Sequence, residues 1–237
     1  MRVVVTRPQP DGDRTAAALR ARGHEVLLAP LMRAEPVPAT LAGTFAGIVI
    51  TSANAPRAVA DHSRIGTLVS LPVFAVGART AEAAREAGFK NVVSADGDAK
   101  DLVRLIAARC GNRSVPLLYL AGRDRAADIG AELSAHGVKI HTEVVYRAVT
   151  LPFPPALLAA LKAREVDAVL HFSARSAENY LAGARDAGLL DAALAPRQLC
   201  LSAHVAAPIS AAGTANVAIA TRPDEAALLE LLGTAKG

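Results

Sequence analysis

Short runs of β-branched and aliphatic residues alternate along this chain with longer stretches in which apolar residues recur at helical spacing among Ala, Arg and Glu. The runs predict strands over Val3–Thr6, Glu25–Ala29, Gly47–Thr51, Val73–Val76, Asn91–Ser94, Pro116–Ala121, Lys139–Tyr146, Ala168–Phe172, Gln198–Leu201 and Val217–Ala220. The stretches between them predict helices over Asp11–Arg22, Ala53–Asp61, Arg79–Ala87, Ala99–Ala108, Arg125–His136, Pro154–Ala163, Ala174–Ala187, His204–Ala212 and Asp224–Leu232. Strand followed by helix, over and over, is the pattern of parallel sheets covered by helices on both faces. Gly23, Gly88, Gly137 and Gly213 stand where helices should stop and lead straight into the next strand, as in the short joins of a doubly wound sheet.

The pattern repeats. Three modules occur in the first half and recur in order in the second. Val5-Thr6-Arg7-Pro8, running to Gly23, is echoed by Leu120-Ala121-Gly122-Arg123-Asp124, running to Gly137. Ile50-Thr51-Ser52-Ala53-Asn54-Ala55 is echoed around His171-Phe172-Ser173-Ala174-Arg175-Ser176. Val76-Gly77-Ala78-Arg79-Thr80 is echoed by Leu201-Ser202-Ala203-His204-Val205. Duplication of this kind predicts two similar domains with a ligand cleft between them.

Two stretches break the alternation: Arg33–Pro38 and Val144–Pro152, both extended and bounded by Pro. Read as two crossings between the same lobes, they leave a continuous domain over 38–145 and a discontinuous one over 1–33 plus 151–237, with linkers at 34–37 and 146–150. Paired linkers make a plausible hinge.

Composition narrows the function. Trp is absent and aromatic residues are only 3% of the chain, so the cores must be built from Ala, Val and Leu. Arg outnumbers Lys 21 to 5, which reads first as a compositional bias of the source and second as bidentate binding of acidic groups; the mild net charge of +4 would help recruit an anionic small molecule. No basic run is interleaved with aromatics, so nucleic acid is not expected. Cys110 and Cys200 form no CxxC and read as reduced thiols. The N-terminus starts directly with a strand rather than a signal peptide, and no apolar run is long enough to span a bilayer, so a cytoplasmic protein without membrane contact is expected. No sustained exposed apolar stripe stands out, so a monomer is expected.

GxGxxG, GxxxxGK[ST], HExxH and GxSxG are all missing, and the six His have no metal-ligand spacing, so no cofactor and no metal are expected. His171, in a strand, is better read as structural. What remains is small polar residues at strand-to-helix turns. These are Thr6-Arg7, Thr51-Ser52-Ala53-Asn54, Gly77-Ala78-Arg79-Thr80, Gly122-Arg123, Ser173-Ala174-Arg175-Ser176 and Ser202-Ala203-His204. In a parallel sheet such turns lie at the carboxyl edge, where helix N-termini and free N–H groups suit carboxylates or phosphates. Any one of them could equally be a helix cap. Repetition at six turns, several with Arg alongside, points to a polyanion site.

In those modules, together with Val144-Val145-Tyr146 at the second linker, the chain resembles the uroporphyrinogen-III synthase family over essentially its whole length. The resemblance implies two similar α/β domains, each a doubly wound (flavodoxin-like) parallel sheet, joined by a two-stranded extended linker. It implies a cofactor-free cyclising lyase that closes hydroxymethylbilane with loss of water and inversion of ring D. The substrate would then be a flexible tetrapyrrole with eight carboxylates. The family match makes Tyr146 the candidate catalytic residue, a phenol that donates to the departing hydroxyl. The expected substrate-binding residues are Arg7, Thr51, Ser52, Asn54, Gly77, Arg79, Thr80, Gly122, Arg123, Ser173, Ser176, Ser202 and His204. Transient contact with the preceding pathway enzyme is compatible with this role. One departure stands out: family members commonly carry Ile-Gly-x-x-Thr in the last repeat, where this chain has Leu201-Ser202-Ala203-His204-Val205. Two other readings remain at this point, a two-lobed cytoplasmic protein that binds an anionic small molecule without chemistry and an enzyme acting on a phosphosugar.

Overall fold

The computed structural model describes residues 1–111, 114–124 and 128–233. In chain order the elements are β1 (Arg2–Val5), α1 (Asp11–Ala21), β2 (Glu25–Leu28), β3 (Met32–Pro36), β4 (Ile48–Ile50), α2 (Asn54–Val59), α3 (Ile65–Leu68), β5 (Pro72–Ala75), α4 (Ala78–Glu86), β6 (Asn91–Ser94), α5 (Ala99–Cys110), β7 (Leu117–Gly122), α6 (Ile129–Ala135), β8 (Ile140–Thr150), α7 (Pro155–Lys162), β9 (Ala168–His171), α8 (Ala174–Asp186), α9 (Leu190–Leu194), β10 (Arg197–Cys200), α10 (Ala203–Ala211), β11 (Val217–Ile219) and α11 (Glu225–Glu230). They divide between two compact units. Unit 1 takes both ends of the chain, Met1–Arg33 and Val149–Gly237, and unit 2 is Ala34–Ala148.

Unit 1 is built on a five-stranded sheet of order β11-β10-β9-β1-β2, with every neighbouring pair parallel. A six-stranded sheet, order β3-β8-β7-β4-β5-β6, forms the frame of unit 2 and is parallel from β8 to β6. In each sheet the chain winds outward in one direction and then in the other. The change falls between β1 and β9 in unit 1 and between β4 and β7 in unit 2. In open parallel sheets that switch point opens a crevice at the carboxyl ends of the strands.

Central strands are apolar on both faces because helices cover both. Val3, Val4 and Val5 are fully buried, with Val4 packed into one core of unit 1 and Val3 and Val5 into the other. In β4 the same period of two sends Ile48 and Ile50 to one face and Val49 to the other. The glycines that end α4 and α10 occupy corresponding places in the repeat, and each needs a left-handed backbone: φ is +93° at Gly88 and +92° at Gly213.

The structure departs from the sequence pattern at several places. The segment Met32–Pro36 is a strand that the pattern missed, because Arg33, Glu35 and Pro36 read as non-strand. At the sheet edge Pro costs no ladder bond. The strand expected to stop at Tyr146 runs on to Thr150. The Val37 amide donates to the Val145 carbonyl at 3.0 Å, and the Leu151 amide to the Leu31 carbonyl at 2.9 Å. Helices α3 and α9, of four and five residues, are too short for periodicity to reveal. In the helix expected over Arg125–His136, residues 125–127 lie outside the described residues. Among the described residues, no helix is long and apolar enough to cross a membrane.

Candidate active site

At the unit 2 switch point, the turn after β4 carries Thr51, Ser52 and the first residue of α2, Asn54, all half-buried. Across the switch, β7 ends at Gly122, followed by exposed Arg123. Here β7 and β8 change register, with Ala121 opposite Val144 but Gly122 opposite Tyr146. This one-residue slip re-aims the β8 side chains. It lays the Tyr146 ring against Gly122 so closely that a Cβ there would sit 2.6 Å from Cζ and 2.7 Å from the phenol oxygen. Gly122 therefore acts by what it lacks, since any side chain would displace the phenol. The Arg123 amide donates to the Tyr146 carbonyl at 2.9 Å and closes the slip.

The phenol of Tyr146 is half-buried. Its pKa is raised above the usual tyrosine value, chiefly because burial disfavours the phenolate, with the nearby Ser52 side chain opposing and the charges of Tyr119 and Asp124 adding to the rise. Tyr146 is thus a neutral hydrogen-bond donor at physiological pH. Beside it, the hydroxyls of Thr51 and Tyr119 lie 3.0 Å apart. Tyr119 escaped the sequence reading because it sits mid-strand in a buried run. The signal that could have found it is that two of only three tyrosines fall on the strands flanking one turn.

The turn after β5 supplies Gly77, half-buried Arg79 and Thr80, which is 6% exposed. Gly77 caps α4 with no side-chain hydrogen bond, so the first amides of that helix carry no side-chain cap. The corresponding residue of unit 1, Ser202, has the same backbone angles, φ −157° and ψ 170° at both. That extended backbone suits any residue, and a Cβ at Gly77 would meet nothing within 4 Å. Replacement of the family Gly by Ser202 is therefore sterically neutral. Its hydroxyl accepts from the Val205 amide, and His204 stands exposed beside it.

Around the unit 1 switch point the same turns are spent on internal bonds. The Thr6 hydroxyl donates to the Leu170 carbonyl at 2.9 Å and meets the Ser176 hydroxyl at 3.0 Å. Ser176 is 1% exposed, and its hydroxyl ties the start of α8 to the end of β1. Ser173 caps α8 through the Ser176 amide. Arg7, expected to face the substrate, stacks over the Phe172 ring at 4.1 Å and pairs with Glu225 at 3.0 Å and Asp11 at 3.3 Å. Its charge is already matched by carboxylates of its own unit.

No curated protein matches the chain by sequence. A family profile described as uroporphyrinogen-III synthase HemD matches residues 13–230. The chain belongs to the uroporphyrinogen-III synthase family. It is a cyclising lyase of heme biosynthesis, and its substrate is a small-molecule tetrapyrrole. Two crystal structures share the fold. The uroporphyrinogen-III synthetase of Helicobacter pylori superposes with a TM-score of 0.69 at 19% identity over 98% of both chains. A mutant uroporphyrinogen III synthase from the extreme thermophile Thermus thermophilus gives 0.54 at 20% identity over 98% of this chain and 97% of that one.

Among the described residues, no three His, Cys, Asp or Glu side chains are grouped to hold a metal. A cavity of about 580 Å³ in unit 2, lined in part by Phe74, Lys90, Arg109 and Cys110, is at the amino-terminal edge of the sheet. It includes none of the residues described above, and the hydroxyl cluster at the carboxyl edge is the stronger candidate for the chemistry.

Proposed function

We propose that this chain closes hydroxymethylbilane to uroporphyrinogen III with Tyr146 as the hydrogen-bond donor to the departing hydroxyl. The observation that carries the assignment is the phenol itself, held neutral in a site cleared for it by Gly122, at the switch point of a parallel sheet. The hydroxymethyl C–O bond breaks as the phenol hydrogen bonds to its oxygen, and water departs. The azafulvene left on ring A is attacked by the substituted carbon of ring D, and the resulting spiro intermediate fragments and recloses with ring D inverted.

Burial makes a free Tyr146 phenolate costly, so the phenol works best as a strong donor that shares its proton during C–O cleavage and regains it as the product loses its own. Most of the rate then comes from holding a flexible bilane so that one ring carbon meets the electrophile, an effect that reaches ~7–11 kcal/mol in favourable cases. Substrate carboxylates would be met by Thr51, Asn54 and Arg123, and by the uncapped amides of α4 at Gly77, Arg79 and Thr80. Ser176 and Arg7 support the turns rather than touch substrate.

The test is Tyr146→Phe. It should keep the fold and lower turnover, by at most a few hundred-fold, because positioning survives. An unchanged turnover number would remove Tyr146 from the mechanism.

A further inference from the structure

The hydrogen bond between Tyr119 and Thr51 crosses the unit 2 switch point, from β7 to the turn after β4. Tyr119 stands opposite Val49 in the β4–β7 register, and Thr51 lies two residues beyond Val49, about 6.6 Å nearer the carboxyl edge. Its ring belongs to the apolar core that holds Val49, Phe74 and Leu102. From there the phenol reaches up that face of the sheet and brings its oxygen 3.0 Å from the Thr51 hydroxyl. Each of the two oxygens carries one hydrogen, and the bond between them uses one of the two. Tyr119 is 3% exposed, and among the described residues its oxygen has no second hydrogen-bond partner, whereas Thr51 is half-buried. If Thr51 donated, the phenol hydrogen would be left unpaired against an apolar core, a costly arrangement. With Tyr119 donating, the buried hydrogen is paired and the Thr51 hydrogen is left for the crevice.

We infer that Tyr119 is a positioning residue for substrate binding: by donating to Thr51 it leaves the Thr51 hydroxyl as an outward hydrogen-bond donor for a carboxylate of the bilane. This deepens the reading of Thr51 as a substrate contact and rests on it. The direction of the bonds is the substance of the claim. A run of donors from phenol to Thr51 to carboxylate polarises each successive O–H, so Thr51 becomes a stronger donor than a hydroxyl with no phenol behind it. Tyr119 itself stays in the core and touches no substrate. Its removal should therefore be felt only through Thr51, and in binding rather than in C–O cleavage.

The test is a double-mutant cycle on the full chain, with Tyr119→Phe, Thr51→Val and the two combined, and with kcat, KM on hydroxymethylbilane and the melting temperature measured for each. Tyr119→Phe should raise KM about three- to tenfold, the size of one net hydrogen bond, and leave kcat within about twofold of the parent. Thr51→Val should raise KM at least as much, and in its background Tyr119→Phe should add nothing further. Thr51→Ser, which keeps the hydroxyl, should hold KM near the parent value and restore the effect of Tyr119→Phe. If Thr51→Val raises KM while Tyr119→Phe lowers only the melting temperature, Tyr119 is a packing residue and the inference alone is overturned. It is overturned equally if Tyr119→Phe lowers kcat at constant KM, or if the two KM effects multiply in the combined variant. An unmoved KM in Thr51→Val removes Thr51 from the substrate and takes the inference with it.

Discussion

His171 gives the most quantitative prediction. It ends β9 in the core of unit 1, fully buried, with its ring edge-on to Tyr180 at 5.3 Å between centroids. Gln198 sets its tautomer: the amide nitrogen of Gln198 donates to the Ala193 and Pro196 carbonyls, both at 2.9 Å, which leaves the amide oxygen to accept from His171 Nε2 at 2.9 Å. The proton then sits on Nε2, and Nδ1 is a buried lone pair with no hydrogen-bond partner among the described residues. Protonating Nδ1 would create a charge and an unsatisfied donor in an apolar core. Burial accordingly lowers the pKa from 6.5 to about 4, against a small opposing effect of Gln198. The neighbouring Tyr180 and Cys200 stay neutral, since burial pushes both upward, Cys200 to about 12.

Between those two pKa values the unfolded chain holds a proton that the folded chain refuses, so stability falls as pH falls from 6.5 and levels off below about 4. A gap of that size corresponds to about 3 kcal/mol, a large part of the 5–15 kcal/mol typical of a domain. Urea unfolding of the parent and of His171→Gln, followed by circular dichroism from pH 7.5 to 4.5, isolates the effect. Carboxylates titrate alike in both proteins and cancel in the difference. The parent should lose up to about 3 kcal/mol relative to the variant over this window. Parallel stability curves would refute the reasoning.

Four further outcomes follow from the packing and the site. A Cβ on Gly183, in the middle of α8, would lie 2.4 Å from two atoms of the Phe153 ring, so Gly183→Ala should destabilise by about 1–3 kcal/mol in thermal melts despite the ~1 kcal/mol that helix propensity returns. Phe153→Leu should relieve part of that loss. Gly77→Ser, which meets open space and adds the cap that Ser202 already provides, should raise stability by a few tenths of a kcal/mol, and Ser202→Gly should cost about as much. Arg7→Ala should lower the melting temperature, because it strips Glu225 of its paired cation, leaves Asp11 with Arg14 in place of two arginines, and uncovers Phe172. A tenfold rise in KM with unaltered stability would instead make Arg7 a substrate ligand. Gly122→Ala should impair turnover at least as much as Tyr146→Phe, measured as kcat on the bilane, because the added methyl displaces the phenol.

The α/β architecture was legible because each long element carries its own period. The glycines at 88 and 213 were legible because a left-handed stop has few substitutes. The edge strand Met32–Pro36 was not legible, since one polar edge strand obeys neither period. At the site, the turns could be found from small polar residues at strand ends, but their polarity could not be read. Whether a polar side chain faces inward depends on partners far along the chain: Ser176 on Thr6, Arg7 on Glu225. Spacing carries no record of such pairings. The contact of Tyr146 with Gly122 depends on a register slip that leaves no mark in composition.

The central claim is that this chain forces ring D to close through its substituted carbon. The purified protein should be given hydroxymethylbilane and the oxidised products separated by isomer. Uroporphyrinogen III should dominate and form faster than the spontaneous closure, with Tyr146→Phe slower but still making the type III isomer. Type I product at the spontaneous rate, with the bilane bound and unchanged in fate, would contradict the account and leave a binding protein in its place.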